Sequence, residues 1–327
     1  MYSCLHDLSI TLVLPGLLWP HQEAAVPDLQ LPALNTLRQW SKYTLQTINR
    51  SQLYQQYLWE GSWVQHAQQQ LNLNPEYCGF IVTPINQTAG MHQLQYLDGN
   101  ALGLNPEEAK SFCEVLSTWL QPDGWRFFPA RPDLWLVTTP QVLDFTLSSL
   151  LDLSGCIDGT AKPSGKDATL ILQQQTELQM LLHQHPLNQE RSTRGLPTIN
   201  GLWFEKDLIG TAKHDTRVYT NSSWALHAHE LPVNYAALMN TLSDSGQQEI
   251  VLFNDSLCLP VNQGDVYTYA QILHQWEQDW WQPLLSGLKN RHIRQLNIRC
   301  EAGLLQIRKP RFRLFRPKTQ PFTGLNL

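Results

Sequence analysis

Short apolar runs, none longer than a strand, recur along this chain between stretches whose apolar residues fall at helical spacing. Leu8–Leu14 is such a run, ended by Pro15-Gly16, and Gly79–Pro84, Met91–Leu97, Trp125–Phe128 and Leu134–Thr138 follow. Asn200–Phe204, Arg217–Thr220, Ile250–Phe253, Ile293–Arg299 and a run from Leu304 complete the set. The intervening helical patterns are Leu31–Thr44, Ser51–Leu71 with a break near Gly61, Asn105–Leu120, Asp167–His183 and Gly264–Leu288. Strands alternating with helices predict an α/β fold with a mostly parallel sheet. The third helix has the clearest start. Asn105 caps it, Pro106 occupies its first turn, and Glu107 and Glu108 sit at its positive end.

A chain of 327 residues is long for one domain and suits two, or one with an insertion. No apolar run reaches the ~18–20 residues of a membrane span. Leu8–Trp19 lacks a basic leader and is broken by Pro15 and Gly16, so no secretory signal is read there. A cytoplasmic protein with no membrane partner is expected. The six cysteines stand singly, without a CxxC pair, so zinc-module spacing is absent and reduced thiols are expected.

The net charge of −5 hides an asymmetry: from Lys289 onward the local sum is +9, against −14 for the rest. Arg308, Lys309, Arg311, Phe312, Arg313 and Arg316 interleave cations with an aromatic, as single-strand nucleic-acid binders do. The same alternation marks a half-buried edge strand, and the acidic body opposes wrapping by nucleic acid. These six residues are the candidate partner-binding segment, for a protein partner before a nucleic acid.

Motifs for nucleotide loops, nucleophile elbows and HExxH zinc sites are absent. His183-x-His185 ends a helical pattern, where two-residue spacing turns the rings apart, and His227-x-His229 is the other imidazole pair. The segment His185–Asn200, HPLNQERSTRGLPTIN, gathers His185, Asn188, Arg191, Arg194 and Asn200 around Gly195 and Pro197. Planar guanidinium forks with amide and imidazole donors make a candidate phosphate or carboxylate site. The alternative is a helix end and turn held by local hydrogen bonds.

The stretch Thr176–Phe204 that contains this segment resembles the signature of a bacterial family of regulators of pathogenicity factors (RpfE-like), whose members are often labelled cofactor-independent phosphoglycerate mutase. Leu97-Asp98-Gly99, Asn105-Pro106-Glu107-Glu108 through Trp135-Leu136, and the end of the chain fit the same family. HPLNQERSTRGLPTIN is also similar to a pattern of archaeal-type phosphoglycerate mutases, in the alkaline phosphatase superfamily. Val13–Pro20, Leu31–Trp40 and the segments VLFND and GDVYTYAQILHQWEQDWWQPLL resemble that superfamily's first strand end, following helix, late strand, late loop and last long helix. The resemblance implies a phosphatase-like α/β core of residues 1–92 plus 200–327, discontinuous around a smaller α/β domain at 93–199.

That superfamily uses an Asp after the first strand, a Ser or Thr nucleophile and a late Asp/His cluster to hold two metals, whose charge the transferring phosphoryl group needs. Here the first strand ends in Leu14-Pro15-Gly16-Leu17, with no carboxylate, and Val261-Asn262-Gln263-Gly264 replaces the late histidines. Ser62, in Glu60-Gly61-Ser62-Trp63, is a poorly flanked match to the nucleophile. A metal site would have to draw on Asp255, Asp265, His227 and His229, and none is expected to assemble. The expectation is therefore a non-catalytic, phosphoglycerate-mutase-like regulatory or binding protein without a cofactor and without an assigned catalytic residue. The rivals are a phosphoryl-transfer enzyme with a rewired, metal-dependent site, and a partner-binding module centred on the basic end.

Overall fold

The computed structural model describes residues 8–20, 25–90, 94–157, 161–213, 216–242, 248–310 and 320–327. The chain divides into two compact units, Met1–Glu60 with Gly210–Leu327, and Gly61–Ile209.

In chain order the first unit begins with β1 (Leu8–Val13), α1 (Pro32–Trp40), β2 (Ser41–Leu45) and α2 (Arg50–Tyr57), and β3 (Glu60–Ser62) stands at the crossing. The second unit runs through α3 (Trp63–Gln70), β4 (Cys78–Ala89), β5 (Leu94–Leu97), α4 (Pro106–Trp119), β6 (Arg126–Arg131), β7 (Leu134–Thr139) and β8 (Cys156–Ile157). It continues with α5 (Ala168–His183), α6 (Pro186–Thr193) and β9 (Gly201–Glu205), and β10 (Ile209–Thr211) stands at the return crossing. The chain then returns through β11 (Arg217–Thr220), β12 (His229–Glu230), α7 (Tyr235–Leu242), β13 (Glu249–Phe253) and α8 (Cys258–Gln263). It ends with α9 (Val266–Trp276), α10 (Gln282–Lys289), β14 (Ile293–Cys300) and β15 (Gly303–Ile307).

The first unit is a mixed α/β layer on a mostly parallel sheet ordered β12-β11-β13-β1-β14-β15-β2. β1 pairs in parallel with both β13 and β14, and β11 with both β12 and β13, whereas β15 and β2 extend the far edge antiparallel. Alternation along β1 divides the two faces. Ile10 and Leu12 lie with Ile250, Leu252, Leu296 and Ile298 in one core, to which α1, α7, α9 and α10 contribute Leu34, Leu238, Leu273 and Leu284. Ser9 and Thr11 turn the other way. On that side α2 lays Tyr54 against Phe253, ring centroids 4.9 Å apart.

The sheet of the second unit is antiparallel. β6, β7, β4, β5 and β8 follow one another, and β9 joins β4 on the edge opposite β7. β4 serves three partners because its first half bonds β7 and β9 while its last four residues bond β5. Phe80, Val82, Trp135, Val137 and Phe204 from this sheet meet Phe112 and Leu116 of α4 and Ile171, Leu178 and Leu182 of α5 in a separate core. β4 and β9, paired with each other, both lie in this unit, which spans Gly61–Ile209.

One helical expectation breaks where the backbone finds another partner, and another divides at the glycine where a break is expected. The pattern from Leu31 stops at Trp40. Ser41–Leu45 then pairs residue by residue with Gly303–Ile307, because Tyr43 and Thr44 favour a pleated surface. The pattern Ser51–Leu71 divides into α2 and α3 around Gly61, whose φ of +76° suits glycine. The long pattern to Leu288 begins one residue after Asp265 and contains a widened π turn over Glu277–Trp281, ending two residues before Pro283, which has no N–H to give. Among the described residues no helix is long and apolar enough to cross a membrane.

Candidate functional site

Open α/β sheets collect functional groups beyond the carboxyl ends of their parallel strands. Here those ends deliver Gly16 after β1, Asn221 after β11, Asp255 after β13 and Glu301 after β14. Helix α2 brings Arg50 and Tyr54 over them, and α8 brings Cys258 and Asn262.

The arrangement is closed on itself. Arg50 Nε donates to Glu301 Oε1 at 3.1 Å, and its Nη1 donates to Asn262 Oδ1 at 2.9 Å. The same Glu301 oxygen accepts the Gly16 backbone N–H at 2.9 Å. Gly16 has φ +74°, and a Cβ there would press on the backbone of Leu257, so the turn that aims this N–H needs glycine. Tyr54 donates its hydroxyl to Asp255 Oδ2 at 3.0 Å and lies 3.6 Å from Cys258 Sγ. Asn221 accepts the Asp255 N–H and donates to Ser256 Oγ. Burial disfavours charge on Arg50, but Cys258, Glu301 and Tyr54 favour its proton, and the balance raises its pKa. Burial pushes the Tyr54 hydroxyl well above its ordinary value and the Cys258 thiol up to about 12. A thiol held neutral in this way is a weak nucleophile.

The two-metal set implied by the resemblance does not fit this place. Asp255 is engaged by Tyr54, and the turn after β1 offers a backbone amide in place of a carboxylate. Asn262, in the stretch that replaces the late histidines, holds a guanidinium. Asp265 caps α9 by accepting the Thr268 N–H at 3.0 Å. His229 accepts from Arg217 Nε at 3.1 Å on the exposed β12 edge, and His227 lies in the loop before it. Among the described residues no three His, Cys, Asp or Glu side chains form a group that could hold a metal ion. Ser62 caps α3 through its hydroxyl, accepting the Gln65 N–H.

The five candidate anion-binding residues come close together in the second unit, where most of their polar atoms bond the protein itself, while His185 Nε2 is buried with no hydrogen-bond partner among the described residues. Arg191, at 0% exposure, donates Nε to Pro197 O at 2.9 Å, Nη1 to Glu108 Oε2 at 2.7 Å, and Nη2 to Leu102 O. Asn188 donates to Leu182 O and Ile199 O and accepts the Ile199 N–H. Asn200 exchanges a pair of hydrogen bonds with the backbone of Gln87. His185 caps α6 by accepting the Leu187 N–H at Nδ1 and lies against Phe112, and burial lowers its pKa. Arg194 remains more exposed, 3.6 Å from Glu108. A concavity of about 410 Å³ opens beside Asn188 and Asn200, and its walls include none of His185, Arg191 and Arg194. These hydrogen bonds make the segment a knot that ties α6, α4 and β4 together.

Of the basic end, Arg308 donates to Gln295 Oε1 and Lys309 to Lys289 O. Arg311, Phe312, Arg313 and Arg316 lie outside the described residues. Reading the sequence missed Arg50, Tyr54, Glu301 and Asn262, because no local pattern joins residues up to 251 positions apart.

No family model matches the chain, and no curated protein matches it. Among solved structures it is similar to the PH0037 protein from Pyrococcus horikoshii, at 12% identity over 92% of this chain and 87% of that one, with a TM-score of 0.46. It is also similar to a cofactor-independent phosphoglycerate mutase from Thermoplasma acidophilum, at 14% identity over 92% and 89% of the two chains, with a TM-score of 0.38.

Proposed function

We propose that this chain is a phosphoglycerate-mutase-like protein that acts by binding, as a regulatory protein in a bacterial cytoplasm, without metal-dependent turnover. The network at the strand ends carries this reading: Arg50 supplies a fixed positive charge against Glu301, and Tyr54 engages Asp255. A guanidinium neutralises a carboxylate but supplies no open coordination position for a nucleophile or a phosphoryl oxygen. The resemblance of Thr176–Phe204 to the regulators of pathogenicity factors supports the regulatory half of the proposal, with a protein as the partner.

Purified protein assayed with phosphoglycerate and with a generic phosphomonoester, in manganese, magnesium or zinc, is expected to show no turnover above the buffer rate. Interconversion of phosphoglycerates that a chelator abolishes would overturn the proposal in favour of a rewired phosphoryl-transfer site.

A further inference from the structure

The face of the parallel sheet away from α1, α7, α9 and α10 holds a groove of about 460 Å³. Helix α2 covers this face near the strand ends, and only Gln56 and Tyr57, its last turn, reach the groove. The floor is polar along β1 and β14, where a buried parallel sheet is ordinarily apolar: Ser9 and Thr11 lie beside Gln295 and Asn297, while Val251 and Val218 continue it as an apolar strip. Lys213 and Arg294 stand at the rim, and Glu249 lies at the start of β13. A cavity of this size holds a small metabolite.

The floor is also oriented. Arg308, just beyond β15, donates to Gln295 Oε1 at 2.9 Å. A guanidinium can only donate, so Gln295 must present its oxygen there and its Nε2 to Asn297 Oδ1, 2.8 Å away. Asn297 then donates Nδ2 to Thr11 Oγ1 at 3.1 Å. With that lone pair occupied, the Thr11 hydroxyl has its own proton to give, and no described residue takes it. One cation outside the groove thus sets the sense of three side chains and leaves a donor in the floor.

We propose that this groove binds a ribose-phosphate group. Lys213 and Arg294 receive the phosphate, Thr11 and Ser9 hydrogen-bond the sugar, Glu249 accepts from its hydroxyls, and Tyr57 forms an aromatic wall. Arg308 is a positioning residue that acts through Gln295. This site is separate from the strand-end network, so it stands or falls independently of the regulatory reading.

Isothermal titration of the full-length protein with ribose 5-phosphate, adenosine monophosphate and inorganic phosphate tests it. Saturable binding of one equivalent is expected for at least one of the first two, with inorganic phosphate at least about tenfold weaker. Tighter binding of the nucleotide assigns the natural ligand to nucleotides, and equal binding assigns it to the free sugar phosphate. Thr11→Val keeps shape and strand preference and is expected to weaken binding about tenfold. Arg308→Ala is expected to weaken it similarly with an unchanged thermal midpoint, and Arg308→Lys, still only a donor, to restore it. No saturable binding up to about 10 mM, inorganic phosphate binding as tightly as the sugar phosphate, or indifference to Thr11→Val would each overturn the proposal.

Discussion

Arg191 and Glu108, 83 positions apart, meet at 2.7 Å with side-chain exposures of 0% and 7%. Glu108 also closes the capping box of α4 by accepting the Asn105 N–H, so one carboxylate both starts a helix and receives α6. A buried pair is costly to break from one side, because the surviving charge stays desolvated. Arg191→Leu is expected to lower unfolding free energy by about 3–5 kcal/mol in urea titration. Arg191→Lys should restore little of that, since an ammonium cannot reach Pro197 O, Glu108 and Leu102 O together. Wild-type stability in Arg191→Leu would show the knot to be idle.

What was legible in the sequence had short-range causes. Asn105-Pro106-Glu107-Glu108 starts a helix wherever it stands, and the structure begins α4 at Pro106 with both halves of the box formed. The short apolar runs of β1 and β13 likewise identify the central strands. The second role of Glu108 was not legible, because its partner arrives through tertiary packing. Ser41–Leu45 carries Leu45 in apparent helical phase with Leu34 and Leu37, yet the edge of β15 captures it as a strand. The strand-end network shows the same limit: Arg50 and Glu301 lie in unremarkable local sequence and acquire meaning only from each other.

Asp265 separates a capping role from a metal-binding one. It accepts the Thr268 N–H at 3.0 Å, and hydrogen bonds from the Thr268 hydroxyl and then its N–H lower its pKa. Asp265→Ala is expected to cost about 1 kcal/mol, and Asp265→Ser, also a good cap, to recover most of it. Both variants should melt identically with and without EDTA. A chelator effect present in the wild type and absent from Asp265→Ala would restore the residue to a metal site.

Glu205 links stability to pH. It is 1% exposed at the end of β9, and its Oε1 accepts the Leu150 N–H at 2.5 Å. Burial raises its pKa to about 7, with Ser149 and the Leu150 amide acting in the opposite sense and Asp152 and Asp98 adding to the rise. The folded state therefore holds this proton more tightly than the unfolded chain does. The stabilisation is complete below about pH 4.5 and is lost as pH rises through about 7. A difference of that size corresponds to about 3 kcal/mol. Chemical denaturation of Glu205→Gln should match the wild type near pH 5. Near pH 8.5 the variant should be about 1–3 kcal/mol more stable, since the amide keeps an acceptor for Leu150 without the buried charge. Equal pH profiles for the two proteins would place the proton elsewhere.

Arg50 and Glu301 provide the sharpest test of the strand-end network, because both the charge and the geometry can be removed separately. Arg50 is 8% exposed, and Glu301 is 27% exposed with a second donor in Gly16. Arg50→Met removes the guanidinium from Glu301 and Asn262 and is expected to cost about 3 kcal/mol. Glu301→Gln retains an acceptor for both donors and should cost less, about 1–2 kcal/mol. If the two residues act as a pair, the double variant will be more stable than the sum of the single losses implies, with a coupling energy of about 1–3 kcal/mol. Manganese or zinc added to Arg50→Met should not recover the lost stability, because Asp255 remains engaged by Tyr54 and the turn after β1 still lacks a carboxylate. Recovery by a divalent cation would mean that the guanidinium occupies a working metal position, and the phosphoryl-transfer reading would then take precedence over the binding one.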